Sequence, residues 1–186
     1  MKKILIINCS LFILFCCSCR PFSPSPNRGL PKEYTTAYQQ IYGHCYDSIP
    51  YGVVALDIYS DGLELDETKK IKGTGYNLCI TDIFVPDSLL EEGEYKSIPR
   101  DSLSSSSFQP SPFTCLPGRR YEGYPTGMYY LNIEDDKVIQ IQLIDSGSFV
   151  YRHDSLLFKL YYKNAYGYKA TYICSFHGEL IPWLKR

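Results

Sequence analysis

Between Tyr34 and Arg186 no segment sustains an apolar stripe of helical period, while apolar and polar residues alternate in one short run after another. Successive side chains of a strand point to opposite faces, so such alternation specifies half-buried strands. Tyr38, Gln40, Tyr42 and His44 share one parity of a first predicted strand. Val54, Leu56 and Ile58 line one face of the next, which ends at the turn Ser60-Asp61-Gly62. A third strand is predicted over Thr74 to Val85, with Tyr76, Leu78 and Ile80 inward, and a shorter one over Glu94 to Ile98. Met128 to Ile133 leads through Glu134-Asp135-Asp136 into Val138 to Ile144, a hairpin pattern. Ser148 to Tyr151, Leu156 to Tyr162 and Tyr168 to Phe176 complete the set. The best helical candidate, Lys32 to Tyr42, is rich in Thr and Tyr.

Eighteen Tyr and nine Phe against two Met suit the same class, because aromatic side chains fit a pleated, half-buried surface. Strands separated by turn signals with no helices between them predict an all-β fold: an antiparallel β-sandwich of about eight strands, or alternatively a closed calycin-like barrel. Arg100 to Thr126 is the irregular stretch. It holds the Ser104 to Ser107 run, four prolines and Pro117-Gly118, and long loops of this kind are usually functional or disordered.

The first residues read as an address. Lys2 and Lys3 precede the mostly apolar run Ile4 to Phe15, which is followed by Cys16-Cys17-Ser18-Cys19. A positive start, a short apolar segment and a small residue at the cleavage point mark a secretory signal. The run is shorter than the roughly 20 apolar residues a membrane-spanning helix needs. The cysteine after the cleavage point makes this region resemble a bacterial lipoprotein signal, in which that cysteine is acylated. Cys19, preceded by Ser18, is the expected lipidation site; Cys17 has Leu14 in the favoured place but Cys16 before it, and Cys16 follows the bulky Phe15. The expected organisation is a signal peptide over 1–18, a Pro/Ser-rich tether over 19–33 and a single β domain over 34–186. Pro21, Pro24, Pro26 and Pro31 keep the tether semi-extended. At about 3.1 Å per residue it reaches roughly 40 Å.

Removing residues 1–18 takes away two lysines and no acids, so 19 − 2 = 17 basic and 20 acidic side chains remain, a net charge of −3. Such a balance disfavours a nucleic-acid partner. The remaining 186 − 18 = 168 residues suffice for one full core. Cys45, Cys79, Cys115 and Cys174 are an even number in an exported chain, which permits two disulfides in three connectivities or leaves buried thiols. None has the CxxC or CxxH spacing of a zinc or redox site.

From Gly93 onward the order of features is Gly93-Glu94-Tyr95, a Ser-rich loop, Leu116-Pro117-Gly118, Gly127-Met128-Tyr129-Tyr130, an alternating hairpin and Tyr172…Phe176-His177-Gly178-Glu179-Leu180. This order resembles a loose group of small all-β Bacteroidota-type exported lipoproteins of unassigned function. The resemblance covers about half the mature chain. It implies an all-β fold and an outer-membrane location, with no catalytic residues to carry over. Arg20 and Pro21 stand where the group's surface-exported members have acidic residues, so the periplasmic and surface faces both stay open.

Catalytic constellations are weak. His153-Asp154-Ser155 has the letters of a hydrolase triad, but adjacent strand residues face opposite ways, and a turn is the expected structure. Gly73-Thr74-Gly75 lacks the lysine of a phosphate loop. His44, His153 and His177 are single, so no metal or cofactor site is expected. Glu91-Glu92 and Asp135-Asp136 sit at expected turns; they would serve glycoside hydrolysis only across a cleft. Tyrosines are the better lead for binding: Tyr121, Tyr124, Tyr129 and Tyr130 around the long loop, and Tyr161 and Tyr162 beside the turn at Asn164 to Gly167. Each offers a flat apolar face with a polar tip, suited to a glycan or an envelope protein, though half of a strand's aromatics face the core.

Asp47-Ser48-Ile49, Asp87-Ser88-Leu89, Asp101-Ser102-Leu103 and Asp154-Ser155-Leu156 all read Asp-Ser-aliphatic. Random placement would give fewer than one such triplet. The pattern resembles the protein O-glycosylation acceptor of Bacteroidota-type bacteria, and it is also ordinary turn chemistry. Ser48, Ser88, Ser102 and Ser155 are therefore expected at turns or loop edges, with the following Ile or Leu inward. The sequence as a whole predicts a lipid-anchored, non-catalytic binding or structural domain at the cell envelope. A calycin-like carrier of a small apolar ligand is the alternative, and a hydrolase acting on glycans the second.

Overall fold

A computed structural model of the chain describes residues 29–44, 49–104, 109–164 and 166–183. In chain order the strands begin with β1 (Glu33–Tyr34), β2 (Thr36–Gly43), β3 (Gly52–Tyr59), β4 (Leu63–Leu65), β5 (Ile71–Gly73) and β6 (Gly75–Val85). Then come β7 (Gly93–Ser97), β8 (Thr114–Cys115), β9 (Arg119–Tyr121), β10 (Tyr124–Thr126) and β11 (Met128–Glu134). The set closes with β12 (Lys137–Leu143), β13 (Ser146–Arg152), β14 (Ser155–Lys163), β15 (Lys169–His177) and β16 (Ile181–Trp183). Every long strand lies where alternation predicts it. In β14, Leu156, Phe158, Leu160 and Tyr162 are buried while Leu157, Lys159, Tyr161 and Lys163 face water. β15 repeats the pattern with Ala170, Tyr172, Cys174 and Phe176 inside.

The protein is all-β, with one large, curled, mixed sheet that forms a half-barrel. The hydrogen-bonded path runs β1-β15-β14-β13-β7-β8-β6-β3-β2-β16, with β11 and β12 branching from β6. The backbone links one end of this path to the strand next to the other end, since only Thr35 separates β1 from β2. The expectation of a purely antiparallel sandwich is corrected: β1 lies parallel to β15, β16 to β2, and β7 to β8. Parallel neighbours cannot be joined by a tight turn. Two of these pairs are made by short segments at opposite ends of the domain, which are laid against the meander from afar and leave little trace in local sequence.

β6 is the branch point. One edge pairs β3; the other pairs β11 over Gly75–Ile80 and β8 over Ile83–Phe84. Between them Asp82 takes φ 56°. The chain enters the fork at Gly118, whose N–H donates to the Ile144 carbonyl, and at Gly127, whose N–H donates to Thr81 Oγ1. A Cβ on Gly118 would sit 2.1 Å from the Met128 carbonyl oxygen, and one on Gly127 2.1 Å from that of Pro117. The Leu116-Pro117-Gly118 and Gly127-Met128 punctuation thus marks the place where three backbone segments converge.

The main core is aromatic. Tyr95 stacks on Phe149 with centroids 4.7 Å apart, and Phe149 meets Phe158 at 5.6 Å. Tyr34 and Tyr172 join their hydroxyls at 3.0 Å. Burying each Phe or Leu contributes roughly 1.5–3 kcal/mol. On the outer face, the β4–β5 hairpin covers a satellite of Tyr59, Leu63 and Ile133, and a second satellite joins Val53, Phe84, Ile98 and Leu116.

Candidate functional site

The β14–β15 hairpin carries the most distinctive surface of the protein. Its turn is built by Asn164, whose Oδ1 accepts from the N–H groups of Tyr166 and Tyr168, both at 3.0 Å. Gly167 supplies the left-handed φ of 79°. This leaves the rings of Tyr166 and Tyr168 in water, 72% and 64% exposed. Register then sets Lys163 directly opposite Lys169 and Tyr161 opposite Thr171. Tyr161 is 39% exposed, with Lys159 Nζ 5.8 Å from its ring centre.

β13 begins against Tyr161, and the Asp145 N–H donates to the Tyr161 carbonyl at 2.8 Å. Arg100 reaches over from the 3-10 turn Arg100–Ser104. Its guanidinium donates to the Gly118 carbonyl and lies 3.2 Å from Asp145 Oδ1. Arg100, Asp145, Ser146, Tyr161, Lys163 and Lys169 line an open cleft of about 600 Å³, with Tyr162 at its floor. Asp145 is its only carboxylate among the described residues, and it is occupied by Arg100. Among the described residues Lys163 and Lys169 have no acidic partner. Like charges directly opposed on neighbouring strands are destabilising. The cleft therefore offers two uncompensated ammonium groups beside a flat ring, a combination suited to an anionic ligand.

Of the tyrosines singled out from sequence, Tyr161 and Tyr162 reach this cleft. Tyr162 and Tyr130 nevertheless spend their rings in the core, edge-to-face at 5.8 Å, with Tyr76 next in line at 6.3 Å. Tyr121 and Tyr124 stand exposed on the β9–β10 hairpin, away from the lining. Tyr129 is half-buried beside Cys79 on the opposite outer face. The cations of the site escaped the sequence reading. A usable signal was present: Ser155 to Gly178 contains three lysines and no Asp or Glu, in a chain of net charge −1.

That opposite face carries a polar row in which Tyr38, Asp57, Cys79, Tyr129 and Leu143 are successive register partners. Gln40 Nε2 donates to Asp57, and burial raises the Asp57 carboxyl, with hydrogen bonds from Cys79, Gln40 and Asn77 partly opposing the shift. Burial also pushes the Cys79 thiol well up, so it is poorly suited to act as a nucleophile.

The disulfide expectation is corrected. Cys79, Cys115 and Cys174 are free, buried thiols. Cys115 lies in the core with its Sγ 4.0 Å from Met128 Sδ, and Cys174 faces the core beside Phe158. Burial raises both thiols to about 12. They serve as small hydrophobes packed on separate strands. Cys45 lies outside the described residues, as do Cys19 and Ser48.

His153 and Asp154 form the two-residue turn between β13 and β14, with φ 47° and 56°. Ser155 Oγ lies 3.0 Å from His177 Nδ1, an exposed cross-strand pair. No cluster of His, Cys, Asp and Glu among the described residues could hold a metal ion. Of the Asp-Ser-aliphatic triplets, Ser88 on the β6–β7 loop, Ser102 in the 3-10 turn and Ser155 at the start of β14 are all half-buried. Leu156 is fully buried as expected, whereas Leu89 is 54% exposed, contrary to expectation, because the 86–90 loop turns it away from the sheet. Comparison with known protein families, with curated proteins and with solved structures finds no match.

Proposed function

We propose that the protein is an exported outer-membrane lipoprotein, anchored through Cys19, whose β domain acts by binding rather than by chemistry, and that the Tyr161 cleft takes an anionic ligand. The observation that carries this reading is the directly opposed Lys163 and Lys169, without an acidic partner among the described residues, beside the exposed Tyr161 ring. An acidic polysaccharide is one such ligand: ammonium groups meet its carboxylates and tyrosine packs on sugar C–H faces. The packed aromatic core supports a binding module more than a carrier, since Tyr95, Phe149 and Phe158 fill the interior where an apolar ligand would have to sit. It equally favours a sandwich-like arrangement of the curled sheet over a hollow calycin barrel. The Asp-Ser-Leu triplet at Ser88 lies on the β6–β7 loop with its serine partly exposed, which is compatible with a glycan acceptor.

Two measurements test the reading. Detergent partitioning and intact mass of the processed protein should show acylated Cys19, and Cys19→Ala should release the chain or leave it unprocessed. An unlipidated processed amino terminus refutes the anchor. Titration with polygalacturonate, against neutral dextran, should show salt-sensitive binding to the acidic polymer alone, weakened about tenfold or more in Lys163→Gln/Lys169→Gln. Equal binding of both polymers, or binding unchanged in the variant, refutes the anionic site.

A further inference from the structure

We infer that the β14–β15 hairpin rests on the anionic lipid headgroups of the membrane that anchors the chain, with Lys163 and Lys169 facing phosphates and Tyr166 and Tyr168 at the interface. This deepens the anion-binding reading above and rests on it.

The first support is the composition of the surface. The hairpin carries Lys159, Lys163 and Lys169 and no acid from Ser155 to Gly178. Its turn presents two largely exposed tyrosines, and Leu157 and Ile173 are exposed on the same outer face. Tyrosine with a flat apolar body and a polar tip favours the headgroup level of a bilayer. Basic side chains near an anionic surface contribute about fivefold each to association. Carboxylates gather instead at the far end of the same strands, at Asp154, Glu92 and Glu179, where the His153 N–H donates to Glu92.

The second support is where the chain leaves the domain. β1 runs parallel to β15, with Glu33 beside Ser175 and Tyr34 beside Phe176. Upstream, the Lys32 carbonyl accepts from the Ser175 N–H and the Pro31 carbonyl from the Tyr172 hydroxyl. Read backwards, the chain therefore descends along β15 toward its Lys169 end. Gly29, the earliest described residue, is placed so that a Cβ on it would lie 3.3 Å from the Tyr76 hydroxyl. Tyr76 belongs to the ring series Tyr76, Tyr130 and Tyr162, which ends beneath the cleft. An anchor attached upstream of Gly29 is thus drawn toward the lysine-tyrosine tip. A tether of this length then holds that tip within reach of the bilayer.

The test uses the purified full chain, lipid attached, in vesicles of phosphatidylcholine alone or with a third phosphatidylglycerol, and in detergent. A water-soluble amine reagent reports each lysine by mass spectrometry. Lys163 and Lys169 should label about fivefold more slowly in the phosphatidylglycerol vesicles than in the other two states, and high salt should abolish the difference. Lys137, exposed at the start of β12, should label equally in all three. Equal rates for Lys163 and Lys169 in all three states overturn the inference. If polygalacturonate still slows their labelling in phosphatidylcholine vesicles, the cleft takes a soluble glycan and only membrane docking fails. If neither partner slows it, the anion-site reading fails as well.

Discussion

Lys163 and Lys169 are register partners across β14 and β15, two ammonium groups on one face with no carboxylate between them. Such a pair costs the sheet stability, and a cost of this kind is characteristic of a surface kept for a partner. Lys169→Glu turns the repulsion into an exposed ion pair. The variant should gain about 0.2–1 kcal/mol in urea unfolding at low salt, a gain that shrinks as salt is added, while anion binding falls. A loss of stability, or a gain indifferent to salt, would show that the two lysines do not repel.

A pH dependence follows from Asp57. Burial, the largest influence, raises its carboxyl above the unfolded value of about 3.9. The folded state therefore favours the protonated form. The contribution of Asp57 to stability is fully present below the unfolded pKa, is lost as pH rises through the folded pKa, and stays lost at neutrality. Asp57→Asn should accordingly be more stable than the parent at pH 7, with the two melting curves converging below about pH 4. A parent that is the more stable of the two at pH 7 contradicts this.

The fork at β6 makes a steric prediction. Gly127 combines φ 73° with a Cβ path only 2.1 Å from the Pro117 carbonyl oxygen, whereas Gly123, at φ 86°, has open space around it. Gly123→Ala should cost about 1–2 kcal/mol, the left-handed penalty alone. Gly127→Ala should cost clearly more, because backbone must also move. Thermal melts of the two variants decide it; equal losses would mean that the fork is not tightly held.

The buried thiols should be silent until the fold opens. Without any reductant, Cys79, Cys115 and Cys174 should resist alkylation in the native protein and react fully in denaturant, since only the thiolate attacks and burial suppresses it. Recovery of an unreacted disulfide among these three in denaturant would overturn the packing described for them.

Local alternation carried most of this architecture. The period-two patterns locate β2, β3, β6, β7 and β11 to β15. In β14 and β15 they also give the buried face, because a strand's pleat maps onto residue parity. β3 and β6 are buried on both faces and β12 on neither, which parity alone does not tell. The acid-free run from Ser155 to Gly178 was a signal for the basic hairpin that the sequence reading passed over. The tertiary structure alone decided the rest. The parallel pairings of β1, β8 and β16 involve two or three residues each, too few to show a period, and their partners lie far away in sequence. Which of the tyrosines around the long loop face water is likewise a property of the assembled sheet: Tyr124 and Tyr130 share a parity, yet the first stands exposed and the second packs against Tyr162 in the core. The clash of Lys163 with Lys169 exists only once β14 and β15 pair, and the fork that demands Gly118 and Gly127 only once three segments converge. Composition and parity are written residue by residue, whereas register and approach are set by contacts between distant segments.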